Sequence, residues 1–347
     1  MARTAREDGL AMPAEWAPHE RTLIAWPARA ETWRDSSIEE AREAHAQVVE
    51  AVAAFEPVTL VANPADVEDA RSRVPVENVD VVGLPIDDSW LRDNGPIVVT
   101  GNDGARAGVD FAFNAWGEAF TPYDRDAALA ALLLDHLALA RRPVDLVIEG
   151  GSIAVDGTGR LVTTEQCLLN PNRGAGRTRE QLEQALIDAL GVSDITWLRD
   201  GLAEDADTDG HVDNVCAFIE PGRALLQTVA DEDDPNFAPM RENAERLAAA
   251  GIDLFELDLL PRTSRADGTP VVIPYTNFYL CNGAAIVPVA QLDKDMDDEA
   301  VGRLAALMPG REIVPVPGRV LALGGGGVHC ITQQVPAGPE LLPYGLS

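Results

Sequence analysis

The chain has 347 residues, 46% hydrophobic and 24% charged, proportions ordinary for a soluble globular protein. Its formal charge of −30 at pH 7 argues against nucleic acid and anionic membranes as partners, because both demand a basic face. No apolar run approaches the roughly 18 residues of a membrane span, and the polar start MARTAREDGLAMPAEW offers no apolar leader, so a cytoplasmic protein is expected.

In chain order, residues 1–9 are polar and expected to form a flexible tail. Residues 22–26 (TLIAW) read as a strand. Residues 37–55 read as an amphipathic helix, with Ser37 as N-cap, acids in the first turn and Val48, Val49, Val52 and Phe55 on one stripe. A strand (57–61), a short helix (64–73) and a strand (79–82) follow. Residues 96–100 and 107–113 flank Asp103-Gly104, a hairpin signal. Helix 125–139 precedes a second hairpin pattern, 144–155 and 161–164, and helix 178–190 stops at Gly191. Strands 195–198 and 212–220, helix 236–250 and strand 254–257 come next. Runs 271–275, 278–281 and 285–288 are hairpin-like. Helix 299–308 and strand 312–316 lead to a glycine run, and the tail after Pro336 has no periodicity.

Strand–helix–strand units thus recur with hairpins between them, at a period of roughly 60–70 residues. That is an α/β fold with mixed strand pairing. Nothing divides the chain, so one domain over residues 1–347 is expected, with 1–9 and about 337–347 as tails.

Four stretches carry chemistry. In DDSWLRDNGP (87–96), Asp93 sits at the mouth of a Gly-Pro turn, as a functional loop acid or as an Asx-turn. In IEGGS (148–152), Glu149 ends an apolar run, where a buried carboxylate needs a partner; a solvent-facing Glu at a strand end fits equally. In DTDGHVDN (207–214), His211 and Asp213 are two apart and share a face if the segment is extended. A His-x-Asp pair can ligate a metal, but no second His or Cys lies at a usable local spacing, so no metal is expected. Finally, LGGGGVHCITQQ (323–334) runs four glycines, Gly325 among them, into His329 and Cys330. Such a run suits a place where something approaches the main chain closely. Cys330 is then a candidate nucleophile, or else a buried structural thiol. An extended segment would turn His329 away from Cys330. The base is therefore expected at His211, 119 positions upstream. The glycines match neither a phosphate loop nor a dinucleotide fingerprint. The other cysteines, Cys167, Cys216 and Cys281, sit in strand patterns and read as core. With no CxxC pair, the four suggest no zinc cluster or disulfide framework.

One Cys, one His and three acids suit a cationic, planar substrate, since a guanidinium matches carboxylates through paired N–H bonds. The negative charge can concentrate such a substrate or can simply serve solubility.

At this point the sequence resembles the agmatine deiminase family of the guanidine-modifying pentein superfamily. The resemblance rests on MPAEWAPHERTLIAWP (12–27), WLRDNGP (90–96), FNAWG (113–117), IEGGS (148–152), LVTTEQCLLNPNR (161–173), GHVDN (210–214), YTNFYLCNG (275–283) and GGGGVHCITQQ (324–334). Glu118 departs from it, standing where a second glycine is expected, and Gly327 stands where some relatives carry Asn. The resemblance implies a five-bladed α/β propeller around a central site and no cofactor. It implies Cys330 as nucleophile, Asp93 and Asp213 as guanidinium clamps, His211 as general acid–base and Glu149 as its orienting carboxylate. Trp90 and Trp116 either wall a channel, with Gly325 beside it, or pack as core. Asp207 either meets a distal ammonium or is a solvated loop acid. The expected reaction is hydrolysis of agmatine to N-carbamoylputrescine and ammonia. The alternatives are a deiminase or amidinotransferase for another guanidine, and a non-catalytic guanidine-binding module. A homo-oligomer stays open.

Overall fold

A single supersecondary unit recurs: a hairpin, then a helix that returns the chain to lay a third strand parallel to the second. The structure, a computed structural model, describes residues 3–33, 35–174 and 176–338. Strands Ile97–Gly101 and Arg106–Ala112 pair antiparallel, and helix Asp124–His136 leads to Ala140–Val147, parallel to the second strand. The next unit is Ile153–Val155, Arg160–Thr164, helix Arg179–Leu190 and Asp194–Leu198. Then come Cys216–Glu220, Arg223–Gln227, helix Phe237–Ala249 and Asp253–Leu257, followed by Tyr279–Cys281, Ala284–Val289, helix Lys294–Leu307 and Glu312–Pro317. The last unit joins the two ends of the described chain. Thr332–Pro336 pairs antiparallel with His19–Ala25, and helix Ile38–Ala53 leads to Val58–Ala62, beside which Val79–Gly83 adds in parallel. This is the mixed α/β pairing that the sequence predicts. The first strands begin at residues 97, 153, 216, 279 and 332, intervals of 53–63 that are a little shorter than the expected period.

Local chemistry explains the elements. Ser37 caps its helix in a reciprocal box with Glu40, and Ala41, Val48, Val49 and Val52 bury the opposite face. Gly191 ends its helix in the left-handed region at φ 66°. Apolar clusters then fill the space between each sheet and its helix.

Several expectations change. Residues 3–9 are not a loose tail: Ala5 is buried, Arg6–Asp8 form a turn, and Leu10–Ala11 pairs with Ile97–Gly101. Met1, Ala2 and residues 339–347 lie outside the described residues. The run 144–155 breaks into two strands of different sheets, because Gly150–Ser152 turn the chain. The last long helix begins at Lys294, five residues early, where Asp293 accepts the Asp295 and Met296 N–H groups. Residues 332–336, to which the sequence reading assigns no element, form a strand buried on both faces. Among the described residues no helix is long and apolar enough to cross a membrane.

Candidate active site

The candidate catalytic residues sit at the same place in their units, on the short segment just ahead of the first strand. Asp93 lies on Leu91–Asn94 before Ile97–Gly101, and Glu149 four residues before Ile153–Val155. His211 and Asp213 precede Cys216–Glu220, Asn277 precedes Tyr279–Cys281, and Cys330 precedes Thr332–Pro336. Neither the His211 nor the Cys330 segment is extended, contrary to expectation: Val212–Asn214 and His329–Ile331 are tight 3₁₀ turns. The strands start only after those turns.

The segments meet around Gly151. A Cβ there would lie 2.6 Å from His211 Nδ1, 2.9 Å from Asp213 Oδ2 and 3.0 Å from Asp93 Oδ1, so only glycine leaves room for the three. Asp93 Oδ1 accepts the Gly151 N–H at 2.9 Å, and its Oδ2 accepts the Trp116 indole N–H at 2.9 Å. Trp116 reaches it from a left-handed backbone (φ 55°) within the run Ala115–Glu118, all of whose residues have positive φ. A bulky side chain there is a local strain, the kind held only where surrounding structure fixes it.

Cys330 is buried beneath these acids. Its Sγ lies 3.6 Å from Asp213 Oδ2 and receives the Asn277 amide at 3.4 Å. Among the described residues no hydrogen bond joins Cys330 to His211, so the expected direct pairing is not present. Instead His211 Nδ1 stands 3.9 Å from Asp93 Oδ2, and His211 Nε2 stands 3.8 Å from Glu149 Oε2. Glu149 is fully buried and Arg173 Nε donates to its Oε1 at 2.8 Å. Cys167 corrects another expectation. It is buried in an apolar cluster as expected, but it belongs to the short helix Glu165–Leu168, not to a strand, and it also adjoins His211 and Glu149. Cys216 and Cys281 do lie in strands, buried in apolar clusters.

An outer layer holds Asp213. His329 bridges Asp213 Oδ2 at 2.9 Å and Glu15 Oε2 at 2.7 Å, and Glu15 also meets Arg92 at 3.3 Å. His329 is thus tied to a site carboxylate. Sequence reasoning missed Glu15, Asn277 and Arg173, although all three lie in motifs quoted above.

A narrow channel leads to the thiol, lined by Trp90, Trp116, Phe120, Asp207, Thr208 and Gly325. Trp90 stacks on Trp33 at 5.6 Å. The glycine run admits these walls, since a Cβ on Gly326 would lie 2.5 Å from the Trp90 ring and 3.0 Å from Cys330 Cβ. Gly325 takes φ 113° against Asp207. Asp207 is not a free acid: Arg265 Nη2 pairs with its Oδ2 at 2.8 Å.

Burial, reinforced by Asp213 and Asp93, pushes the Cys330 thiol well above its usual range. Burial alone would lower His211, but Asp93, Cys167 and Glu149 outweigh it and hold the imidazole well above its usual range. Burial, with Asp213 and Glu149, raises Asp93 to about 6 against the opposing pull of His211. Asp213 goes the other way, because His329 and then His211 overcome its burial. Glu149 is lowered too, as His211 and Arg173 overcome the same cost. The site therefore holds a proton on the thiol, a charged imidazole and ionised Asp213. It can bind a cation between two acids and supply a proton from His211.

The family profile described as Porphyromonas-type peptidyl-arginine deiminase matches residues 11–336. A Pseudomonas aeruginosa protein named agmatine deiminase is 42% identical, covering 96% of this chain and 97% of its own. The agmatine deiminase of Enterococcus faecalis superposes with a TM-score of 0.90 at 31% identity, over 97% of this chain and 98% of that one. A C. jejuni agmatine deiminase with a cysteine-to-serine change and substrate bound superposes at 0.87 and 29% identity, covering 95% and 97%.

Proposed function

The chain belongs to the Porphyromonas-type peptidyl-arginine deiminase family, and we propose that it hydrolyses agmatine to N-carbamoylputrescine and ammonia. The observation that carries this reading is the buried Cys330 beneath two carboxylates, Asp93 and Asp213, at the end of an aromatic channel. Relatives matched over nearly their whole length carry the name agmatine deiminase.

Asp93 and Asp213 clamp the guanidinium with its central carbon over Cys330 Sγ. Its positive charge offsets the acids that keep the thiol protonated, so the thiolate forms as substrate binds, its proton passing to solvent. Sulfur attacks the carbon, and His211, charged and backed by Glu149, gives its proton to the departing ammonia. The substrate lies between Cys330 and His211, so the two need no direct bond. Neutral His211 then takes a proton from water, which attacks the S-alkylthiouronium and releases the ureido product with the thiol. Trp90, Trp116 and Phe120 enclose the aliphatic chain, and Gly325 lets the main chain border it. Asp207 faces the distal ammonium with Arg265 as its partner. The small cationic substrate fits the acidic site, and every step runs through side chains of the protein and water. The five ββαβ units form the blades of a pentein propeller in one domain around this site.

Ammonia release from agmatine, free arginine and an arginine peptide, measured side by side, tests the reading. Turnover of the peptide without turnover of agmatine overturns it. Cys330→Ser is expected to bind agmatine while losing turnover by a factor on the order of 10⁴ or more. Mass spectrometry of the parent is expected to show the amidino adduct on Cys330.

A further inference from the structure

Glu149 and Cys167 lie beside His211, and the deiminase chemistry does not use the three in combination. Glu149, Cys167 and His211 each offer one ligand atom, all within 4.8 Å of one another, and all three residues are buried. Arg173 takes Glu149 Oε1 but leaves Oε2 without a hydrogen bond, and His211 Nε2 is likewise unpartnered. The two atoms face each other at 3.8 Å, too far to bond directly. His211 Nδ1, turned toward Asp93, keeps the proton once the imidazole is neutral and leaves the Nε2 lone pair free.

We propose that Glu149 Oε2, Cys167 Sγ and His211 Nε2 form an inhibitory site for a thiophilic divalent cation of the zinc class. Thiolate, imidazole and carboxylate are the ligand types zinc prefers, and its bond lengths place tetrahedral ligand atoms about 3.3–3.6 Å apart. The 3.8 Å between imidazole and carboxylate therefore needs to close by a few tenths of an ångström, with Cys167 Sγ within 4.8 Å of both. Cys167 binds as thiolate, its proton passing to solvent, and water completes the fourth position. The cation enters as the substrate does, drawn by Asp213 and Asp93. Once bound it takes the Nε2 lone pair and Glu149 Oε2, so His211 can no longer become the imidazolium that gives up a proton on its Asp93 side, and turnover stops. That consequence rests on the role proposed for His211, whereas binding itself does not.

The test separates the two by counting metal. Cys330→Ser protein, which lacks the competing nucleophile thiol, is dialysed against Zn²⁺ and the retained metal is measured. Close to one zinc per chain is expected, and Co²⁺ in its place is expected to give a thiolate-to-cobalt charge-transfer band. Adding Cys167→Ser, with folding checked by circular dichroism, is expected to weaken zinc binding on the order of tenfold or more and remove the band. In protein with Cys330 intact, Cys167→Ser is expected to raise the half-inhibiting zinc concentration in parallel, read relative to each protein's own uninhibited turnover. If Cys330→Ser holds no zinc, shows no thiolate band, or binds as tightly with Ser at 167, the site is refuted. These readings need no turnover, so they stand apart from any failure of the deiminase reading.

Discussion

Cys330 lies against Asp213, and a thiol so placed resists ionisation unless something donates to it. Asn277 is that donor: its amide N–H points at Sγ at 3.4 Å, while its Oδ1 accepts the His329 N–H at 3.0 Å. Asn277→Asp keeps the shape and the acceptor but replaces the donor with a further negative charge. It is expected to lower kcat roughly 10–100-fold, the size of a charge-assisted hydrogen bond, with KM little changed. Steady-state ammonia release checks this. A rise in KM at unchanged kcat would instead make Asn277 a substrate contact. Asn277 escaped the sequence reading because an amide neither titrates nor attacks, so nothing in YTNFYLCNG marks it as reactive. The acids, His211 and Cys330 were legible because their chemistry is rare in such loops. Cys167 was misread for a different reason: its apolar neighbours resemble a strand, and only the fold brings it 44 residues onward to His211.

At the scale of elements, the repeat carried information that local spacing did not. Each unit contributes the residues just before its first strand, so aligning the units would have pointed to 277 as the fourth member. The turns themselves hid that register, because a 3₁₀ step before a strand has no period of its own in sequence. The FNAWG element shows the same interplay of strain and function. Glu118 occupies φ 64° where the resemblance leads one to expect glycine. Since an L-residue in that region costs roughly 1–2 kcal/mol, Glu118→Gly is expected to raise stability by up to about 1 kcal/mol after the entropy of glycine is set against it. Denaturant unfolding measures it, and a loss of stability would show that the Glu118 side chain contributes more than the strain costs. The glycine run behaves oppositely. Gly326→Ala drives a methyl into the Trp90 ring and against Cys330 Cβ. A nucleophile moved by about 1 Å loses on the order of 100-fold in kcat/KM. Gly302 serves as the control, because a Cβ there meets nothing within 4 Å. In that helix Gly302→Ala is expected to stabilise by about 0.5–1 kcal/mol and to leave turnover intact.

For the whole molecule, two sources of negative charge oppose folding as pH rises, and they differ in where the charge sits. The first is the surface, with a formal −30 whose self-repulsion salt screens within a Debye length of about 10 Å at 0.1 M. The second is buried. Asp126 accepts the N–H groups of Asp87 and Asp88 while almost wholly enclosed, and burial, with Asp88 and Asp87 nearby, raises its pKa to about 7. Burial likewise raises Asp88 to about 6. A carboxyl raised in this way binds a proton more tightly in the folded state than in the unfolded state. Its stabilisation is therefore fully present below about pH 4 and is lost as pH climbs through 7. At about 1.4 kcal/mol per unit, the Asp126 share is bounded at roughly 4 kcal/mol. Asp126→Asn keeps one acceptor oxygen toward the two N–H groups and removes the titration. It is expected to unfold at a higher temperature than the parent at pH 8 and to show a flatter dependence between pH 5 and 8. Adding salt to about 1 M should raise the melting temperature of both proteins at pH 8, because the surface term is common to them. The gap between them should persist, since a buried carboxylate is poorly screened. If salt closes the gap, Asp126 titrates as a surface group, and the alkaline loss belongs to the net charge alone.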